Sequence, residues 1–176
     1  MTESIHTSRL ELRPITLPFV EAIFANDRPR AEALAGASLP PEWPGRDLIE
    51  QAFCASLDGI RADPDTRLWG DRLMVTREAP FRVVGSVIFH GKPSEGRCEV
   101  AYGVESGSQR RGFALEAVGA SVAWALAHAE VQVVQAETFS WHQASMGVLT
   151  KLGFVRAGAR IHETLGDVFL FERRRG

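Results

Sequence analysis

The chain changes its hydrophobic period several times. Residues 7–14, TSRLELRP, alternate, with Leu10 and Leu12 on one face and Arg9, Glu11 and Arg13 on the other. That period of two predicts a short half-buried strand, ended by Pro14. From Phe19 to Leu34 the spacing turns helical, with Pro29 as an interruption. A proline-rich loop, SLPPEWPGRD, precedes a second helical pattern with Leu48, Phe53, Leu57 and Ile60 inward. RLWGDRLMVTRE and FRVVGSVIFHG then read as an antiparallel hairpin, and RCEVAYGV (97–104) as a third strand after the turn-rich GKPSEG. A long alanine-rich helix opens near Gly112, followed by a strand over 131–138. QASMGVLTKLGF then reads as a helix with Val148, Leu149 and Leu152 inward and Gly153 as its left-handed cap, and FVRAG and DVFLFERR as closing strands. This order predicts a single domain over residues 1–176, of α/β (α+β) type, with helices around a largely antiparallel sheet.

The junction SQRRGFA raises a chemical question. Unpaired amides and the helix dipole make a helix N-terminus attractive to an anion. Gly112 permits a left-handed backbone, Ala114 is small, Phe113 can turn to the core, and Arg110 and Arg111 offer guanidinium donors. The same residues also suit a solvated turn with two surface arginines, and the residues alone leave both readings open. Neither GxxxxGK[ST] nor a strand-linked GxGxxG is present, which argues against a nucleotide hydrolase or a Rossmann dehydrogenase.

Composition narrows the partners. A formal net charge of -2 gives no basic footprint, so nucleic acid is not expected and an anion needs a local site. Cys54 and Cys98 lack metal or redox spacing. No apolar run reaches the roughly 18 residues of a membrane span, and the N-terminus has no signal core. A cytoplasmic protein without metal is the expectation.

The motifs resemble those of the GNAT superfamily of acyl-CoA-dependent N-acyltransferases. Gln109-Arg110-Arg111-Gly112-Phe113-Ala114 looks like that family's pyrophosphate loop, EVAYGV like its fourth strand, and WHQAS with VLTKLGFVRAG like the segments after its fifth. TSRLELRP and PPEWP resemble the RimJ/RimL branch, which acetylates ribosomal-protein N-termini. The resemblance implies that two splayed parallel strands, Glu99–Val104 and Val131–Thr138, hold acetyl-CoA between them. It implies pyrophosphate on the amides from Arg111 to Ala114, the pantetheine arm along Tyr102, Gly103 and Val104, and an oxyanion donor near Val104.

Direct transfer to an amine needs a proton acceptor, oxyanion donors and a proton for the thiolate. Glu99 is the first candidate for amine deprotonation, or else a carboxylate paired with Arg97 or another base. Glu137 is the second carboxylate candidate. Many relatives carry a tyrosine as general acid where this chain has Leu149. Ser145 is then the candidate at the CoA sulfur, or a packing residue, and Tyr102 reads as structural. His142 stands where the family usually has an asparagine beside the pantetheine. Trp43 lines the acceptor pocket or anchors its loop, within a variable acceptor-side segment spanning 27–66. Close packing accounts for Gly119 and Gly147 inside helices, and His6, His90, His128 and His162 have no assigned role. The acceptor is a protein α-amine or a small amine such as an amino acid, polyamine or antibiotic. A non-catalytic acyl-CoA-binding module is the alternative from another class. Both monomer and homodimer fit.

Overall fold

A computed structural model describes residues 3–42 and 56–176 of the chain. Its sheet has eight strands: β1 (Ile5–His6), β2 (Leu10–Pro14), β3 (Arg72–Thr76), β4 (Val83–Phe89), β5 (Arg97–Val104), β6 (Val133–Phe139), β7 (Val155–His162) and β8 (Gly166–Arg174). They lie in the order β1-β2-β3-β4-β5-β6-β8-β7. Every neighbouring pair is antiparallel except β5–β6, where α5 (Phe113–Ala127) makes the crossover that parallel strands require. The mixed, largely antiparallel sheet is therefore as the sequence predicts.

Both faces of the sheet are covered. On one side α5 and α6 (Gln143–Lys151) pack on Leu10, Met74, Val87, Val100, Val134 and Phe171. On the other, α1 (Leu17–Phe24), α2 (Arg28–Ala35) and α3 (Leu57–Ala62) pack on Leu73, Val75, Val83 and Ile88. This two-sided burial explains why β4, VVGSVIF, reads as a continuous apolar run rather than an alternation. At Gly85 an added Cβ would lie 2.2 Å from the carbonyl oxygen of Gly103, so only glycine lets β4 and β5 close up there.

Local rules account for the element ends, and some expectations need revision. Pro29 does not interrupt one long helix. It lies in the first turn of α2, whose N-terminus Asp27 caps, while α1 has already ended at Phe24. The run from Arg67 is not all strand: α4 (Pro64–Arg67) and a turn through Trp69 precede β3. Gly153 has φ 78°, the left-handed conformation expected just beyond α6. A Cβ on Gly119 would meet Leu152 at 3.1 Å, which fits close packing, but here between helices rather than helix and sheet. Gly147 has nothing within 4 Å of that position, so close packing does not explain it.

Candidate active site

The sheet forks at one place. β5 and β6 pair in parallel through Arg97↔Val133, Cys98↔Val134 and Glu99↔Gln135, and no further. β5 nevertheless continues to Val104 on β4. Beyond Glu99, the β6-facing edge of β5 has no strand partner over five residues, roughly 16 Å. Unpaired strand amides and carbonyls are an open half-ladder for an extended amide-bearing ligand. Tyr102, Gly103 and Val104 lie along this open edge, and a Cβ on Gly103 would have nothing within 4 Å.

The far end of the edge runs into the arginine-glycine junction. Glu105 caps a 3-10 turn, Ser106–Ser108, by accepting from the Gly107 amide at 2.8 Å. Gln109 folds back so that its Nε2 donates to the Val104 carbonyl at 3.0 Å, fastening the turn to the strand. Arg110 and Gly112 both have left-handed φ, 60° and 80°. This curl exposes Arg110, Arg111 and Gly112 and drives the Phe113 ring into the core, with Ala114 half-buried on the first turn. Side chains of Thr16, Asp27, Ser56 and Asp63 cap α1 to α4. No side chain caps α5, so its first amides keep their hydrogen-bonding capacity beside two arginines.

A third arginine supports this loop. Arg9, just before β2, donates from Nη1 to the Arg111 carbonyl at 2.7 Å and packs its guanidinium over the Phe113 ring, 4.7 Å from the centroid. Its amide and Nε both reach the Glu116 carboxylate, at 2.8 and 2.7 Å, and the Thr7 hydroxyl donates to Glu116 at 2.6 Å. Burial raises the Glu116 pKa, but the hydrogen bonds from Thr7 and Arg9 prevail and hold it down to about 2. Strand alternation places Arg9 on a polar face. It cannot reveal a partner 107 residues away, so Arg9 and Glu116 escape the sequence reading.

Across the fork, toward α6, the Tyr102 hydroxyl lies 2.9 Å from Ser145 Oγ and 3.2 Å from its carbonyl oxygen. Burial pushes the Tyr102 phenol up while the bond to Ser145 opposes it, so the phenol is protonated at neutral pH. Leu149, at the family's usual tyrosine position, is fully buried in the core. His142 is the exposed N-cap of α6, another helix without a side-chain cap.

The opposite face of the fork carries charge. His90, directly after β4, donates its amide to the Glu99 carbonyl at 3.0 Å, and its Nδ1 lies 3.3 Å from Glu99 Oε1. Glu99 thus has another base as neighbour, while Arg97 pairs with Glu172 at 2.7 Å. Glu137 is exposed and held by Arg160 at 2.6 Å. Strand register through GKPSEG places His90 opposite Glu99, and that register was the available signal for a residue left without a role. Trp43 lies outside the described residues. No cluster of three or more His, Cys, Asp or Glu suited to a metal occurs among the described residues.

Known proteins share this fold. A family model for the acetyltransferase (GNAT) domain matches residues 9–155. An uncharacterized N-acetyltransferase of Bacillus subtilis, YjdG, is 27% identical over 152 residues, covering 86% of this chain and 89% of that protein. RimL, a ribosomal L7/L12 alpha-N-protein acetyltransferase solved with coenzyme A, superposes with a TM-score of 0.66 at 15% identity, covering 98% of each chain. A spermidine N-acetyltransferase chimera, SpeG of Vibrio cholerae with hSSAT, gives 0.64 at 14%, covering 96% of each chain. At such identities the two structures share the fold alone, and they act on different amines. The forked sheet, the uncapped helix and the family match together establish that the chain belongs to the GNAT family, as an acetyl-CoA-dependent acetyltransferase.

Proposed function

We propose that the enzyme transfers an acetyl group from acetyl-CoA to the α-amine of a protein N-terminus, by direct attack of the amine on the thioester. One observation carries this choice of acceptor. Of the carboxylates on this face near the fork, Glu137 is held by Arg160, and Glu172 by Arg97 and Arg174. Glu99 alone among them is without an arginine in ion-pair contact among the described residues. A polyamine or cationic antibiotic calls for several uncompensated carboxylates, whereas a single α-amine calls for one. β7 is an outer strand with mostly exposed residues, Ile161 among them, and Trp141 and Leu165 are also exposed, an open platform suited to an extended chain. Cytoplasmic protein N-termini are the acceptor pool that goes with this reading.

The residues fit the donor. The amides of Phe113 and Ala114 and the guanidiniums of Arg110 and Arg111 face the pyrophosphate position, with Gly112 allowing close approach. Gln109 sets the loop against Val104, and the β5 edge through Tyr102, Gly103 and Val104 receives the pantetheine arm beside His142. A free amide near Val104 faces the developing oxyanion. Glu99 marks the vertex of the fork, where the acetyl group meets the amine and the amine's proton must leave. The Tyr102–Ser145 hydroxyl pair sits on the other side, placed to protonate or hold the departing sulfur.

Thermal shift tests the donor. Ligand at 100 times its Kd contributes about 2.7 kcal/mol, so acetyl-CoA and CoA should each raise Tm by roughly 5–10 °C and ATP by much less. Thiol release with a panel of N-terminal peptides against spermidine and free amino acids tests the acceptor. Faster turnover of the peptides is expected. Turnover of spermidine alone would replace the protein acceptor with a polyamine.

A further inference from the structure

We propose that His90 is the group that takes the proton from the acceptor amine, with Glu99 orienting its ring. The inference deepens the proposed reaction and rests on amine attack at the fork. Its basis is the dyad's place and register. Ser86, Ile88 and His90 alternate onto the acceptor face of β4, opposite Gly103, Ala101 and Glu99 of β5. The last of these pairs coincides with the final β5–β6 contact, Glu99↔Gln135. The dyad therefore sits at the vertex, on the side away from the Tyr102–Ser145 pair.

His90 Nδ1 and Glu99 Oε1 are in ion-pair range at 3.3 Å; a carboxylate offers no proton, so the tautomer this contact favours carries its hydrogen on Nδ1 and its lone pair on Nε2. No hydrogen bond among the described residues uses Nε2. The ring is partly buried, its side chain 23% exposed, with the Glu99 carboxylate on its Nδ1 side, the arrangement by which a carboxylate orients a general-base imidazole. The neighbouring charges leave this pairing dominant. Arg160 of β7 interacts first with Glu137 of β6 and only weakly with Glu99. Lys92, two residues beyond His90, acts weakly on Asp63 at the start of α4, and Asp71, before β3, is turned to the Phe89 amide.

The ammonium of the acceptor gives one proton to Nε2, from which it passes to solvent. The neutral amine attacks the thioester carbon, the C–N bond forms and the C–S bond breaks. The second proton on nitrogen is lost as the amide forms, and the thiolate gains one to leave as thiol.

The test is the pH dependence of kcat/KM with saturating acetyl-CoA, in the full chain carrying His90→Gln, His90→Asn or Glu99→Gln. Histidine is the side chain whose charge changes between about pH 5 and 8. In both His90 variants the rise in rate should move up from there to the range where the acceptor amine loses its own proton, about pH 8 and above. They should fall roughly ten- to a hundred-fold below wild type near pH 7, keep the KM for acetyl-CoA, and regain part of the rate with added imidazole. The deficit should close above about pH 9, where the amine is neutral unaided. Glu99→Gln should slow the reaction yet retain the rise. Loss of the rise in Glu99→Gln with its retention in folded His90→Gln or His90→Asn would overturn the proposal and make Glu99 the base. If the acceptor panel selects a free amine instead of a peptide, the same profiles are recorded with that amine. A wrong acceptor and a wrong base are thus separate results.

Discussion

Arg9 Nε lies 2.7 Å from Glu116 Oε2, joining the residue just before the second strand to the first turn of α5, the helix that opens behind Arg110 and Arg111. The pair resolves a conflict in that turn. A carboxylate near a helix N-terminus is favoured by the dipole, yet it would repel a bound pyrophosphate. With Thr7 and Arg9 occupying it, Glu116 serves as a fastener, and Arg9 also holds the Arg111 carbonyl. Replacing Glu116 with glutamine should loosen both connections. A loss of about 1–2 kcal/mol is expected, read as a Tm lower by about 2–8 °C, with acetyl-CoA affinity reduced several-fold. Unchanged affinity in the destabilised variant would confine Glu116 to stability.

The same carboxylate makes stability depend on acid. Its folded pKa, about 2, lies below the ordinary value of 4.5. A depressed carboxylate contributes stability that is present above the unfolded pKa and lost as pH falls through the folded one. Wild type should therefore lose stability more steeply than Glu116→Gln between about pH 4.5 and 2. Because Arg9 is about half exposed, solvent screening limits the difference to about 1–2 kcal/mol. Denaturant midpoints taken across that range measure it, and parallel curves would contradict the assignment.

Gly112 separates strain from charge. Its φ of 80° makes any side chain unfavourable, and a Cβ there would stand 3.2 Å from Arg9 Nη2. Gly112→Ala reports that strain, on the order of 1–2 kcal/mol. Gly112→Asp adds a carboxylate where the pyrophosphate's charge should rest, within reach of the loop's guanidiniums. The aspartate variant should bind CoA at least a hundred-fold more weakly than wild type, and the alanine variant no more than about ten-fold. Calorimetry on the folded variants gives both numbers, and equal losses would reduce the effect to backbone strain.

Legibility in the sequence followed the range of each interaction. Alternation in TSRLELRP, the turn around GKPSEG and the left-handed Gly153 depend on neighbours a few residues apart, and all are found as read. The arginine-glycine junction was legible because one helix mouth gathers its residues consecutively. Pro29 was misread because a helix-breaking residue and a first-turn proline differ only in whether a cap precedes, and Asp27 supplies one. Arg9 and Glu116 required a contact 107 residues apart, which local spacing does not carry, whereas His90 lay within reach of the hairpin register through GKPSEG. Strand position alone gives Tyr102 a structural role, and its hydroxyl also meets Ser145 from a helix 43 residues on, a contact that local spacing does not carry.

Leu149 is fully buried and has no proton to give, so the Tyr102–Ser145 hydroxyl pair is the source we propose for the departing sulfur. A thiol's pKa near 8.5 makes thiolate a fair leaving group, so losing the pair should slow turnover without abolishing it. Tyr102→Phe keeps the ring and its packing while deleting the donor. It should lower kcat by roughly ten-fold with little change in the KM for acetyl-CoA. Ser145→Ala should do the same if the two hydroxyls act in series, and the double variant should then be no slower than either single one. Multiplying effects would mean separate roles. An unchanged kcat in Tyr102→Phe would return the phenol to the structural role its strand position first suggested.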